Sequence, residues 1–418
     1  MISAPSKIYL ANVFIKSKKF AEAEKILISL IEIDPLNYKY HYNLSIVYSE
    51  QLKVKSAIEY FNNALALAER QIIDGNDLKC LCSDIHGNLA ALHIKDLDPT
   101  KAEKHCRLGL EYDRFNRICL HNMNICLRQL NRLKEAIKLS WISSNLTRPH
   151  TESYTDEEST NVSYTSNTDT AKIIFVCVKW GIKYSSDYVN RLYYALMENS
   201  SEPLGVMMCY TDDPTGIHPD ILCIPFEAAS KEWTGWWLKA AIFKNAEING
   251  QNSNDWCVYI DLDTVICNSI DFLLTHIRGL KNNSFCTLSA SKLSSEGRSD
   301  GINSSLMIWR RGSWSCIYHF LLINYRSILN CTYKFDHFLE MILLNYENED
   351  GDVTESFENV DYLNKFDNKI VDYRDIVQYC SNIDKIATHH IICFPLKPKP
   401  HEIDNEFINK YWRDIIKS

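Results

Sequence analysis

The chain has 418 residues, 46% hydrophobic and 23% charged, with a formal net charge of −8. Its length predicts two or three domains at roughly 100–200 residues each, and its composition is that of a folded protein. The acidic balance argues against nucleic acid as a partner, because nucleic-acid binding leaves a basic footprint. No apolar run approaches the ~20 residues of a membrane span, and residues 1–10 lack the apolar core of a signal peptide, so a soluble, cytoplasmic protein is expected. Fifteen cysteines are scattered through apolar segments without a Cys-x-x-Cys pair, which predicts reduced core thiols rather than a disulfide framework or a zinc site.

The first segment, 1–149, repeats itself. Small residues recur at Ala23, Ala57, Ala102 and Ala136, with intervals of 34, then 34 plus an insertion of 11 around Arg70 to Cys82, then 34 again. Each alanine opens the second helix of a predicted helical hairpin, where a small side chain lets two antiparallel helices approach closely. The period resembles that of tetratricopeptide repeats, and the resemblance implies a helical solenoid of four units. Asn43, Asn88 and Asn122 fall on one repeat position of the first helices. In the family that position faces the concave groove, and the asparagines resemble the ladder by which the repeats of O-linked N-acetylglucosamine transferases hold an extended peptide. An amide offers both a donor and an acceptor to a peptide group. The resemblance therefore implies a polypeptide partner or acceptor bound by Asn43, Asn88 and Asn122. The bland alternative is a polar residue tolerated at an exposed helical position.

From 150 to 170 the composition turns to Thr, Ser, Asn, Asp and Glu, which cannot build a core and predicts a linker. The remaining segment, 171–418, alternates strands and helices. Lys172 to Val178 reads as a buried strand, followed by an amphipathic helix from about Ser185 to Asn199. Strands follow at Gly205–Tyr210 and Ile221–Pro225, and then a helix through Trp236–Phe243. Such alternation predicts a mostly parallel sheet with ligands at the carboxyl ends of its strands. The pair Trp236-Trp237 reads as core packing more than as a stacking platform for a sugar.

The next strand, Trp256 to Ile260, stops abruptly in Asp261-Leu262-Asp263. Two other Asp-x-Asp triplets occur, Asp96-Leu97-Asp98 and Asp350-Gly351-Asp352, but neither follows an apolar strand. Where a strand gives way to a turn, carboxylates at i and i+2 can converge on one cation, and hard oxygen ligands suit Mg2+ or Mn2+. A solvated turn at a strand end is the alternative.

Several motifs in this order carry a resemblance: Cys177-Val178-Lys179-Trp180-Gly181, Tyr188-Val189-Asn190-Arg191, Tyr210-Thr211-Asp212-Asp213, Gly235-Trp236-Trp237 with Lys239, and Tyr259-Ile260-Asp261-Leu262-Asp263. Together they resemble bacterial glycosyltransferases of the GT-A fold, distantly similar to the glycogenin and lipopolysaccharide galactosyltransferase family. Asn303-Ser304-Ser305 resembles the strand placed beneath the donor sugar, and Phe394 to His401 resembles the closing loop. The implied architecture is an N-terminal helical solenoid followed by an α/β unit with a Rossmann-like mixed sheet. The implied activity is metal-dependent sugar transfer from a nucleotide sugar, a UDP-sugar being favoured, to a protein held by the repeats.

By resemblance, Val178, Lys179, Trp180 and Gly181 lie under the base, with Tyr184 and Asn190 nearby. Asp212 or Asp213 takes hydrogen bonds from base or ribose. Lys239 and Lys399 pair with phosphates, Asn303 and Ser304 line the sugar, and Asp336 contacts the acceptor. Asp261 and Asp263 hold the Mn2+ or Mg2+. The family's third ligand, a histidine, aligns with Cys393, so His390, His401 or a water would complete the metal site, with His401 taken as the candidate. Three other readings compete: a glycan or lipopolysaccharide transferase whose repeats only bind a partner, a degenerate scaffold, and a nucleotidyltransferase. Val178-Lys179-Trp180-Gly181 lacks the Gly-rich phosphate loop that the last of these normally carries.

Overall fold

A computed structural model describes residues 4–71, 76–144, 171–227, 230–244, 255–282, 284–298, 300–343, 360–366, 368–386 and 388–416. The chain divides into two compact units, Met1–Ser144 and Asn145–Ser418. The predicted linker, 150–170, and the triplet at Asp350 lie outside the described residues.

The first unit is a run of TPR-like helical hairpins: α1 (Ala4–Lys16), α2 (Phe20–Ile33), α3 (Tyr38–Glu50), α4 (Val54–Glu69), α5 (Asn76–Lys95), α6 (Pro99–Tyr112), α7 (Arg117–Gln129) and α8 (Leu133–Ser144). Ala23, Ala57, Ala102 and Ala136 are each fully buried near the start of the second helix of a pair, as the close-approach argument requires. The extra residues of the long interval are partly absorbed in α5, whose 20 residues compare with 13 in α1, α3 and α7.

The hairpin turns share one device that the alanine period does not announce. Lys18, Leu52, Leu97 and Asn131 all have φ near +58°, between 57° and 59°. In each turn the next residue's N–H returns to a carbonyl five residues back, as in Lys53 to Tyr48 (2.9 Å) and Asp98 to His93 (2.9 Å). This left-handed cap satisfies helix-end carbonyls that would otherwise lack a partner.

The second unit is built on a seven-stranded sheet among the described residues, in the order β3-β2-β1-β4-β7-β6-β8. The strands are β1 (Ile173–Lys179), β2 (Met207–Thr211), β3 (Ile221–Pro225), β4 (Trp256–Ile260), β6 (Phe285–Ser289), β7 (Ile302–Arg310) and β8 (Val360–Tyr362). Strands β3, β2, β1 and β4 are parallel; β7 runs antiparallel between β4 and β6. β1 and β4 are almost wholly buried and accordingly read as continuous apolar runs. Helix α9 (Ser186–Glu198) follows β1 and buries Tyr188, Val189, Leu192, Ala195 and Leu196. A second sheet of three strands, β5 (Val265–Ile266), β10 (Ile391–Cys393) and β9 (Ile370–Asp372), brings the C-terminal segment beside the turn after β4. The helices α10 (Asp271–Arg278), α11 (Ser315–Cys331) and α12 (Phe335–Leu343) complete the frame.

Two expectations need correction. The helix predicted through Trp236–Phe243 is a 3-10 run, Gly235–Phe243. Its tryptophans separate: Trp237 is buried against Tyr325, Phe335 and Phe338, whereas Trp236 is 47% exposed. A 3-10 run brings i and i+3 into line, so Trp236 shares the outward row of the half-buried Lys239 while Trp237 lies in line with the buried Ala240. The described cysteines are free thiols, as their scatter predicts. Among the described residues no helix is long and apolar enough to cross a membrane.

Candidate functional site

The chain order β1, β2, β3 runs outward from β1, and β4 then returns to β1's other side. The carboxyl ends of β1 and β4 therefore flank the point where strand order reverses, the crevice in which open α/β sheets bind ligands. Asp261 and Asp263 stand there, directly after β4. The backbone locks the turn: Asp261 N–H donates to Ser305 O at 2.9 Å and Thr264 N–H to Asp261 O at 3.1 Å.

Both carboxylates are neutralised by lysines from distant segments. Lys239 Nζ lies 2.8 and 3.0 Å from the two oxygens of Asp261, and Tyr259 Oη donates to the first at 2.5 Å. Lys399 Nζ lies 2.7 Å from Asp263 Oδ2, to which Tyr184 Oη also donates at 2.8 Å. Burial, with Asp263 adding to it, holds the Asp261 carboxyl above its usual range despite the opposing pull of Lys239. Burial and the neighbouring Lys399 lower the Lys183 ammonium.

The network continues along β7. Asn303-Ser304-Ser305 carry β7 past the last paired residue of β4, Ile260, opposite a register irregularity at Cys286–Leu288 of β6. Lys239 Nζ reaches Ser304 Oγ at 3.2 Å, and Ser304 N–H donates to Asp336 Oδ1 at 3.1 Å. The other Asp336 oxygen meets Lys334 at 3.1 Å. Burial opposes ionisation of Asp336, but Lys334, Lys239 and Ser304 outweigh it and hold the carboxyl well below the usual range. Lys334 also pairs with Glu296 (2.9 Å), which accepts from Asn303 Nδ2 (2.7 Å). Arg298 pairs with the fully buried Glu340 (2.9 Å) beneath them.

At the ends of β1 and β2 a second polar group forms. Gly181, at φ +57°, donates its N–H to Asp212 Oδ2 (2.8 Å), and Lys179 Nζ donates to Asp213 O (3.2 Å). Val178 and Lys179 are buried, Trp180 is half-buried, and Gly181, Asp212 and Asp213 are exposed. A cavity of about 580 Å³ lies against Lys183, Tyr188, Arg191, His401 and Trp412, within the roughly 300–1,000 Å³ range of small-molecule sites. A cavity of about 620 Å³, bordered by Lys172, Gly205 and Trp256, lies at the amino ends of the strands, away from these groups.

Thus Asp261, Asp263, Tyr184, Lys239, Ser304, Asp336 and Lys399 are linked into one network, and Lys183, Tyr259 and Lys334 join it without having been singled out in the sequence. Tyr259 is two residues before Asp261, a same-face spacing that could have revealed it. Three expectations change. Lys239 and Lys399 contact the carboxylates themselves. Asn190 is not free for a base: its Nδ2 donates to Gly216 O (2.9 Å) and its Oδ1 accepts from His218 N–H (2.8 Å), fixing the β2–β3 loop. His401 is separated from Asp263 by two aromatic side chains, since its Nδ1 meets Tyr188 Oη and Tyr188 packs on Tyr184 at 4.7 Å between centroids.

Among the described residues no His, Cys, Asp or Glu makes a compact three-ligand cluster with Asp261 and Asp263. The pair nevertheless fits a hard divalent cation. Such an ion is held by one or two carboxylates with its other positions on water or phosphate oxygens, and here two ammonium groups already mark the place of positive charge.

The asparagine ladder is engaged within the helical unit. Asn122 is buried and donates to Gly87 O at 2.9 Å, on the first helix of the preceding hairpin; Asn43 donates to Asn12 Oδ1 at 3.2 Å, likewise on a preceding first helix. Asn88 donates to Asp84 O, one turn back on its own helix, at 3.0 Å. The two α5–α7 backbones meet closely here, since a Cβ on Gly87 would lie 2.7 Å from Ile118 Cγ2. Asn43 and Asn122 join repeats to one another, and none of the three amide nitrogens is unengaged.

No protein-family profile matches this chain, and no curated protein does. Solved structures similar to it include YrrB, described as a TPR protein with an unusual peptide-binding site, at 19% identity over 34% of this chain and 68% of that one, with a TM-score of 0.28. The N-terminal domain of stress-induced protein-1 from C. elegans is 22% identical over 28% of this chain and 87% of that one, TM-score 0.25. MamA is 13% identical over 32% and 72%, TM-score 0.29.

Proposed function

We propose that the sheet unit is a metal-dependent glycosyltransferase of the GT-A type, using a nucleotide sugar with a UDP-sugar favoured. The observation that carries this reading is the placement of Asp261 and Asp263 at the strand-order reversal, each balanced by a lysine brought from another segment. The parallel β3-β2-β1-β4 set followed by antiparallel β7 supports it.

In this reading Asp261 and Asp263 hold Mn2+ or Mg2+, whose chemistry is to neutralise charge developing on the leaving diphosphate. Lys239 and Lys399 exchange their carboxylate partners for phosphate oxygens, with Lys183 alongside as a further point charge. Lys179, Gly181, Asp212 and Asp213 present backbone and carboxylate groups to the base and ribose. Ser304 and Asp336 lie on the sugar side. Asp336 is a weak base because its carboxyl is held low; it orients a hydroxyl by accepting its hydrogen bond rather than removing its proton. The helical repeats dock a polypeptide, as acceptor or as partner, through surfaces other than the amides of Asn43, Asn88 and Asn122.

The test is a panel of nucleotide sugars incubated with the full chain and Mn2+, scored for nucleoside diphosphate release and thermal stabilisation. One donor should be hydrolysed and should raise the midpoint, because a ligand that binds only the folded state stabilises it. Neither response from any donor would overturn the reading.

A further inference from the structure

His276 on α10, Cys286 on β6 and Asp361 on β8 place an imidazole nitrogen, a thiol and a carboxylate oxygen all within 4.8 Å of one another. They come from three elements, and the sheet register sets two of them side by side: Cys286 pairs directly with Asp361 across the parallel β6–β8 ladder. We propose that these three residues form a second metal site, for a borderline divalent cation of the zinc type, distinct from the Asp261–Asp263 pair. By register Cys286 lies level with Val258, three residues short of Asp261 and two strands across. That separates the two sites by roughly 14 Å at ordinary strand spacing and rise.

Three observations support a ligand here. First, the donor set is mixed N, S and O, which favours zinc-like ions over Mg2+ or Ca2+. Second, His276 Nε2 is buried and stands 3.0 Å from Asp361 Oδ2, so a nitrogen and an oxygen ligand are already side by side. Third, a cation already sits at the carboxylate: Lys365 Nζ lies 2.8 and 2.6 Å from the two Asp361 oxygens, and its side chain is 45% exposed, free to withdraw.

Bonds of about 2.0–2.3 Å to a tetrahedral ion set one sulfur and two lighter ligands roughly 3.3–3.5 Å apart, so the cluster needs to contract by about 1.5 Å at most. A water would fill the fourth position on the Asp361 side, which is 31% exposed. Binding breaks the Cys286 S–H bond, forms the sulfur–metal bond and releases the proton to solvent. Because a proton is released, uptake must strengthen as pH rises.

The experiment is titration of the chelator-treated full chain with CoCl2, reading the thiolate-to-cobalt charge-transfer absorption. One cobalt per chain should produce the band, and ZnCl2 should abolish it. Cys286→Ser should remove it. Lys365→Ala, a change at an exposed side chain that leaves the core intact, should shift half-saturation to severalfold lower cobalt by removing the competing ammonium. Asp263→Asn should leave the band unchanged, because the Asp261–Asp263 pair offers no sulfur; the outcome is therefore independent of whether the glycosyltransferase reading holds. Absence of the band in the wild-type chain, its persistence in Cys286→Ser, or an unmoved half-saturation in Lys365→Ala would each overturn the proposal.

Discussion

Lys399 closes on Asp263 across 136 residues of sequence: its ammonium lies 2.7 Å from Asp263 Oδ2 and is also held by the carbonyls of Phe394 and Pro395. The same lysine thus tethers the C-terminal loop and occupies the place that the proposed function gives to a metal ion. On that reading metal and lysine would compete for one carboxylate when no phosphate is present, whereas with a nucleotide diphosphate bound both would find partners. Lys399→Ala should therefore raise Mn2+ affinity of the donor-free chain several-fold while weakening donor binding at least ten-fold. Calorimetric titration with Mn2+ alone, then with the donor, separates the two effects. Parallel losses of both affinities would show that Lys399 only supports the loop.

Asn122 and Asn43 occupy one repeat position but should differ in cost. Asn122→Ala removes a buried hydrogen bond to Gly87 O, a carbonyl that keeps its own helical N–H, and should destabilise by about 1–1.5 kcal/mol. Asn43→Ala breaks an exposed amide–amide contact and should cost about 1 kcal/mol or less. Urea midpoints at constant slope provide the measurement. If Asn122→Ala leaves stability untouched while weakening peptide binding, the amide faces a ligand instead of the neighbouring repeat.

How much of this was written in the sequence depends on whether a feature is local. The alanines at 34-residue spacing were legible because a helix crossing demands a small residue at that place every time. The strand ending in Asp261-Leu262-Asp263 was legible because burial on both faces forces a continuous apolar run. The partners were not. Lys239 and Lys399 could be seen as cations in want of an anion, but which anion is decided by the return of β7 and of the C-terminal loop. The asparagines at 43, 88 and 122 show the same limit: a shared repeat position fixes where the Cα lies, while the neighbouring helix decides whether the amide meets a groove or a carbonyl. The left-handed turns were hidden for a third reason, since Lys18, Leu52 and Leu97 are residue types that seldom mark positive φ.

Those turns make a stability prediction. Leu97 is 83% exposed at φ +57°. A Cβ in the left-handed region costs about 1–2 kcal/mol, and glycine gives back part of that through its larger unfolded-state entropy. Leu97→Gly should accordingly stabilise the helical unit by about 0.5–1 kcal/mol, seen as a higher urea midpoint. A lower midpoint would mean that Leu97 packs on something that the hairpin alone does not supply.

The histidines of α5 and α6 make a prediction in pH. His86 Nδ1 and His105 Nδ1 are 3.1 Å apart, and the rings of His93 and His105 stack at 5.3 Å. Burial first, then His86, His93 and Lys104, hold His105 down at about 4; burial also lowers His86 and His93, with Glu69, Glu111, Asp96 and Asp98 opposing. Below about 6.5 the unfolded chain takes up protons that the folded cluster refuses, so stability falls as pH drops from about 6.5 to about 4 and levels off below. His105→Gln should flatten that fall. Equal loss of midpoint in both proteins between about pH 7 and about pH 5 would assign the dependence to other groups.

The central claim, that Asp261 and Asp263 form the metal-binding centre of a sugar-transferring site, is met most directly by one comparison. Nucleoside diphosphate release from the best donor of the panel is measured for the wild-type chain and for Asp263→Asn, each across a Mn2+ titration, with unfolding midpoints recorded alongside. The isosteric amide keeps the hydrogen bond from Tyr184 but is a far poorer ligand for a hard cation. The account predicts Mn2+-dependent release by the wild type, a loss of at least two orders of magnitude in Asp263→Asn, and a cooperative unfolding transition in both. Undiminished Mn2+-dependent release by a folded Asp263→Asn chain would contradict it.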